Sequence, residues 1–379
     1  MSASEIDRVL LVGPASPSDL ADLFTGGDRQ RADGLAGYRG TPVTELARSL
    51  LAAGVAQVEV ATTATEVSDT TYFEGDRVRL AVVPMRPRPR HRVLDGFRQE
   101  RIGLGAAIAR SDAAVVHAHW TYEFALAALA SKRPTVVTAH DAPLTVLRHA
   151  RDKYRLARAA MAYVVRARLG TLTAVSPYLA SQWHRQMRFR RAIAIIPNSA
   201  PRVPRLPTQP GRDSRVARIV DVADSGLWKN IPSLVRAFRV LRRTRPEAEL
   251  VLVGPGLGEG DELANRMRRE GPCAGIVFEG RADRARLGRI LGAADLFVHP
   301  SLEECCPMAV LEAMGAGVPV IAGERAGGTP WVLGEGAAGL LTDVGDPEAL
   351  ARAMERLLGD PETASEISRA ARQRVESKF

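Results

Sequence analysis

Cysteine is nearly absent from this chain of 379 residues, and lysine is almost as scarce. Cys273, Cys305 and Cys306 are an odd number without paired metal-ligand spacing, which supports neither a disulfide framework nor a zinc site and leaves them as reduced thiols. No window approaches the roughly 18 uncharged apolar residues of a membrane-spanning helix. The start, MSASEIDRVLLVGP, has no charged leader ahead of a long apolar run, so the expected location is the cytoplasm. P-loop, G-x-S-x-G, H-E-x-x-H and Asp-x-Asp patterns are all missing, and no metal or cofactor is expected. VLVGPGLGEGDEL (251–263) has the air of a dinucleotide fingerprint, but after Gly254 and Gly256 the third glycine falls on Glu259, so a plain strand-to-helix turn is expected and a dehydrogenase is disfavoured.

What is abundant is arginine. The net charge of +9 comes almost wholly from it, because lysine occurs only at Lys132, Lys153, Lys229 and Lys378. A basic chain attracts anions: nucleic acid, an acidic membrane surface or a phosphorylated small molecule. The densest basic stretches, 84–101 and 148–170, do not interleave aromatics as a single-strand binding platform would. They are read first as a solvated helix face and a Pro/Arg loop. Peripheral membrane contact is the second reading, and nucleic acid is not expected.

The apolar pattern alternates between short continuous runs and helical periodicity, the signature of buried parallel strands with crossover helices. RVLLVG (8–13) opens the series. PVTELARSLLAAG follows as a helix, with Pro42 in its first turn and Gly54 at its stop. QVEVA, RLAVV, AAVVHA, PTVVTAH, GTLTAV and AIAIIP are the next strand candidates, enough for one doubly wound unit. PRVPRLPTQPGRDSR (201–215) lacks periodicity and reads as an interdomain linker. The alternation then restarts with ARIVDVA, AELVLVG, GIVFEG, DLFVHP, VPVIAG and AGLLTD. The expectation is an α/β protein of two Rossmann-like, doubly wound parallel-sheet domains, 1–203 and 204–379, facing a cleft in which a ligand binds.

Chemistry is sought in HPSLEECCPMAVLEAMGAGVPVIAG (299–323). DLFVHP is a strand ending at Pro300, and Pro307 suits the first position of the next helix. Glu304 then lies on the loop and Glu312 between one and two turns into the helix. The free N–H groups at that helix start, from Met308 and Ala309, would suit a phosphate. A carboxylate that grips vicinal diols beside an anion-binding helix terminus fits a sugar nucleotide. The bland alternative, Glu304 as a cap and Glu312 as a surface residue, stays open on pattern alone.

PSLEECCPMAVLEAMGAGVPVIA resembles the signature of the retaining GT-B glycosyltransferases of family four, and the resemblance covers nearly the whole chain. It implies transfer of a sugar from a nucleoside-diphosphate sugar to an acceptor, without metal. Glu304 would contact the transferred sugar and Glu312 the ribose, with Pro307, Met308 and Ala309 at the donor. VDVADSGLWKNIPSLVRAFRVLRRTRPEAELVLVGPG is similar to the segment that supplies a lysine to the diphosphate, here Lys229. AGERAGGTPWVLGEGAAGLLTDVGDPEALARAMERLLGDP resembles the following segment, including Gly327 and Gly328. GYRGTPVTELARSLLAAG resembles the glycine loop, where Gly40 would approach the diphosphate. VVHAHW and VVTAHD match two strand ends, which makes His140 the histidine near the reacting sugar. His119, Trp120 and Asp141 are candidates for the acceptor side.

Four departures stand out. The arginine usual five residues before the lysine is Asp224, whose charge would repel a diphosphate. The loop after the first glutamate is Cys-Cys-Pro, and Trp331 stands where many members have glutamate. The chain ends at QRVESKF, where relatives usually continue with a further helix, so a shortened form or a truncated chain is expected. Two alternatives remain open: a non-catalytic nucleotide-sugar binder, and a sugar phosphorylase or synthase on the same scaffold.

Overall fold

The structure, a computed structural model, describes residues 7–38, 40–201 and 216–379. The expected linker falls almost entirely outside these residues. Two compact units are present, dividing between Ser199 and Ala200, against an expected division after residue 203.

The first unit holds an eight-stranded sheet: β1 (Arg8–Val12), β2 (Gln57–Ala64), β3 (Thr71–Glu74), β4 (Val78–Pro84), β5 (Val115–His119), β6 (Thr135–Ala139), β7 (Thr171–Ala174) and β8 (Ile193–Ile195). Their spatial order is β3-β4-β2-β1-β5-β6-β7-β8, and every pair is parallel except β3 with β4. From β1 the chain winds outward through β2 to β4, then crosses back to β5 and winds the other way. The sequence missed β3. Only Phe73 of its four residues is buried, so it leaves no apolar run to read.

The second unit is a six-stranded, wholly parallel sheet: β9 (Arg218–Val222), β10 (Glu249–Val253), β11 (Ile276–Gly280), β12 (Leu296–His299), β13 (Val320–Gly323) and β14 (Leu340–Thr342). Its order, β11-β10-β9-β12-β13-β14, is doubly wound and reverses direction between β9 and β12. The helix Ile231–Leu241 follows β9 and turns Leu234, Val235, Phe238 and Leu241 onto a core shared with Leu250, Leu252 and Ile321. Fully burying a side chain such as Phe238 stabilises the unit by about 2–3 kcal/mol. Gly254, at φ +136°, is required where β10 turns away, because a Cβ there would lie 1.8 Å from the Ala223 carbonyl oxygen. Asp261, not a glycine, opens the helix Glu262–Glu270 that follows, consistent with a plain turn.

A reversal of strand order leaves the loops at the carboxyl ends of the two central strands splayed apart, and ligands of such sheets bind there. In the second unit these loops follow β9 and β12. They carry Lys229 and Glu304.

Candidate functional site

The loop after β9 is short and tightly specified. Asp224 Oδ1 accepts a hydrogen bond from the Gly226 N–H at 2.7 Å, and a 3-10 turn, Leu227–Lys229, follows. Asn230, left-handed at φ 56°, donates from Nδ2 to the carbonyls of Pro300 at 3.2 Å and Val344 at 2.9 Å. The loop after β12 is fastened to the same frame: the Leu302 N–H donates to the Trp228 carbonyl at 2.8 Å, and the Gly328 N–H to the Glu304 carbonyl at 2.7 Å. Both backbones are thus held before any side chain meets.

The side chains then form a chain of charges. Lys229 Nζ donates to Glu304 Oε1 at 2.5 Å, and the two side chains are only 17 % and 13 % exposed, so water screens them little. His299, the last residue of β12, turns Nε2 to the same Glu304 oxygen at 3.1 Å and Nδ1 to Asp221 Oδ1 of β9 at 3.4 Å. Burial pushes Glu304 up, but Lys229 and His299 outweigh it and hold the carboxyl well below its usual range. Burial pulls Lys229 and His299 down, yet their carboxylate neighbours win and both are raised. Asp221, fully buried, is raised by its desolvation.

The helix that follows begins at Met308, one residue later than expected. Pro307 is its extended N-cap (ψ 115°), and its carbonyl accepts from the Leu311 N–H. The reason is geometric: proline's fixed φ serves the cap as well as the first turn. No side chain caps this end, so Glu304 is not a cap, and the N–H groups of Met308 and Ala309 face outward from the first turn without a helical acceptor. Glu312 lies half-buried in the helix Met308–Ala316. Trp331 packs edge-on against Phe379 at 5.5 Å, with Lys378 Nζ 4.6 Å from its ring centre, which ties it to the helix Pro361–Lys378.

In the first unit the remaining candidates sit at the carboxyl ends of β5 and β6 and at the start of the helix Thr41–Ala52. Gly40 is the N-cap of that helix. Its φ of −162° is ordinary, but a Cβ would lie 2.0 Å from the Pro14 carbonyl oxygen, so close packing demands glycine. His119 Nδ1 and His140 Nε2 share a hydrogen bond of 2.9 Å, and the His117 ring lies 4.3 Å from that of His119. Burial lowers all three: His117 to about 4, His140 to about 3 and His119 well below its ordinary value. They are neutral at pH 7. Trp120, at φ 65°, lies under the Arg158 guanidinium and 5.4 Å from Tyr38. Asp141 Oδ1 accepts from the Tyr122 hydroxyl at 2.8 Å, and the Asp141 carbonyl from Trp183 Nε1 at 3.2 Å.

The structure therefore joins Lys229 to Glu304 and His119 to His140. Sequence reasoning missed Asp221, His299 and the buried pair of Arg158 with Glu123 (2.7 Å). The available signal was a charged or polar residue inside an apolar run, RIVDV and LFVH, each at a position that turns out to be buried.

Residues 40–202 match the family model described as Glycosyltransferase Family 4, and residues 205–374 that of Glycosyl transferases group 1. Glycogen synthase of Mycobacterium tuberculosis is 33 % identical over 151 residues, covering 40 % of this chain and 36 % of that protein. Sulfoquinovosyl transferase SQD2 of Arabidopsis thaliana is 36 % identical over 134 residues, covering 35 % and 25 %. The chain thus spans little more than a third of the length of these curated relatives at most. Among solved structures, sucrose-phosphate synthase from Thermosynechococcus elongatus superposes with a TM-score of 0.75 at 22 % identity, covering 98 % of this chain and 94 % of that one. Anabaena HepE in complex with UDP and glucose gives 0.68 at 18 %, covering 99 % and 96 %. At those identities the likeness speaks for the fold. Two matched family models that between them span both units, together with that fold, place the chain in the GT-B glycosyltransferases of the group 1, family-four type, to which it belongs.

Proposed function

We propose that this chain transfers a sugar from a nucleoside-diphosphate sugar to an acceptor, with retention at the anomeric carbon and without a metal ion. The observation that carries the reading is the Lys229–Glu304 pair at the reversal point of the second sheet. The names of its relatives, a glycogen synthase and a sulfoquinovosyl transferase, support the reaction class.

The largest chemical demand is the negative charge on the departing nucleoside diphosphate. Lys229 would leave Glu304 to meet it, and the N–H groups of Met308 and Ala309 would add oriented donors, each worth about a few kcal/mol in the transition state. Glu304 would hold sugar hydroxyls and favour positive charge at the ring. Glu312 would hold the ribose. The acceptor oxygen attacks the anomeric carbon from the face the phosphate leaves. One C–O bond forms, the C–O bond to phosphate breaks, and the acceptor's proton passes to the departing phosphate oxygen. Gly40 would contribute to the diphosphate, His140 would orient the sugar, and His119, Trp120 and Asp141 would serve the acceptor. Neutral histidines suit that task, since they donate a hydrogen bond without drawing in the anion.

Asp224 favours a second reading, a nucleotide-sugar binder without turnover, because its exposed carboxylate lies beside Lys229 and adds negative charge there. A panel of UDP-, GDP- and TDP-sugars read by thermal shift, followed by assay of nucleotide release, separates the two. We expect one donor class to raise the midpoint and be consumed, and Glu312→Ala to weaken every member alike. A shift without consumption favours the binder, consumption only with phosphate or a phosphosugar as acceptor favours a phosphorylase or synthase, and no shift by any member rejects all three.

A further inference from the structure

His299 faces two carboxylates at once. Nδ1 lies 3.4 Å from Asp221 Oδ1, and Nε2 lies 3.1 Å from Glu304 Oε1. An ionised carboxylate accepts hydrogen bonds and cannot donate, while a neutral imidazole has a single N–H. Where both carboxylates are ionised, a neutral ring would set lone pair against lone pair at one of these contacts. The imidazolium, with a proton on each nitrogen, satisfies both.

The two cations on Glu304 differ in freedom. His299 is 1 % exposed, stands at the end of a central strand and stacks on Phe297 at an interplanar angle of 15°. Lys229 ends a flexible four-carbon stem on a loop, and is the cation that a diphosphate would draw away. Once it left, a buried Glu304 held by nothing else would be an uncompensated charge in a site of low polarisability. Asp221 from β9, Glu304 from the loop after β12, and Lys229 and Asp224 from the loop after β9 are the charged groups of this network.

We propose that His299 is the positioning residue of Glu304: anchored on Asp221 and carrying a proton on each ring nitrogen, it keeps the carboxylate in place when Lys229 turns to the donor's diphosphate. The role during turnover rests on the glycosyl-transfer reading, whereas the charge state of His299 stands without it.

The full chain labelled with nitrogen-15 in its seven histidines reports ring protonation directly by NMR. One histidine is expected to keep both ring protons above the ordinary imidazole range, and to keep them in Lys229→Met. Asp221→Asn should bring that transition down. Seven rings that all lose their second proton at or below the ordinary imidazole range, or loss of the protonated ring in Lys229→Met, would overturn the proposal. If Asp221→Asn does not fold, the wild-type and Lys229→Met spectra decide it. With UDP-glucose as the donor probe, His299→Gln should lower kcat about tenfold to a hundredfold, the worth of one charge-assisted hydrogen bond, with donor KM moved less than about threefold. A rise in KM at unchanged kcat would refute the positioning role. If no nucleotide sugar in the panel is bound or consumed while the protonated ring persists, glycosyl transfer fails and the His299–Glu304 clamp remains.

Discussion

At the end of β5 three imidazoles face one another, and at the end of β12 one imidazole faces two carboxylates. Among the described residues, His117, His119 and His140 have each other and neutral partners such as Thr138, which accepts or donates at 2.6 Å from His117 Nε2. Burial alone then decides, and they are neutral. His299 is as deeply buried as His119, yet Asp221 and Glu304 reverse the outcome. The same residue type at the same place in two similar sheets is therefore pushed down in one and up in the other, and its partners, not its depth, set the difference. The histidine cluster of the first unit is thus uncharged, whereas the ends of β9 and β12 in the second bring ionised groups together.

The sharpest way to break this contrast is to remove a member of the charged set. Glu304→Ala should lower turnover about a hundredfold to a thousandfold, with far less effect on donor affinity, as read from steady-state kinetics on the consumed donor. Next in size is a test on the first unit, in which Arg158, 12 % exposed, pairs with Glu123. Glu123→Ala strands that guanidinium among aromatic rings and should cost about 3–5 kcal/mol in urea unfolding.

The pH dependence of stability should also differ between the units. His117 protonates near 6.5 when unfolded and near 4 when folded, so protons favour the unfolded chain between those values. The first unit's stability should be full above about pH 6.5, decline as pH falls, and gain no further loss from this group below about 4; His140 extends the decline to about 3. His299 works in the opposite sense. Its raised value gives stability that is fully present below 6.5 and fades as pH rises through the folded value. Glu304 contributes above its unfolded value of 4.5, and loses that share only as pH falls through its depressed one. Urea midpoints of the two units between about pH 4 and 9 should thus move apart, and parallel curves would contradict the contrast. The smallest effect is expected at Asp224. Asp224→Asn keeps an oxygen for the Gly226 N–H and removes one exposed negative charge, so nucleotide-sugar affinity should rise about twofold to fivefold by calorimetry.

Much of this was legible in the sequence because the signals are local. Every strand of the second sheet announces itself as a short apolar run, and Glu304 and Glu312 share one loop-and-helix segment whose proline marks the border. Pro307 caps the helix instead of opening its first turn, since the same fixed φ suits both positions. What escaped is what only folding brings together. Asp221 and His299 are 78 residues apart, and Glu123 and Arg158 are 35 apart. Asp221, His299 and Glu123 each look like an exception within an apolar segment, Arg158 is one arginine among many in the basic stretch 148–170, and every one has its partner on another element. β3 escaped for the reverse reason, being an edge strand with a single buried residue.

The central claim is that the ammonium parked on Glu304 is the group that receives the donor's diphosphate. Calorimetric titration of wild type and Lys229→Ala with the nucleotide sugar that binds tightest tests it most directly. A loss of about tenfold or more in affinity for the intact donor, shared by the free nucleoside diphosphate and absent for the nucleoside, is the result predicted. Equal affinity of both proteins for the diphosphate would contradict it.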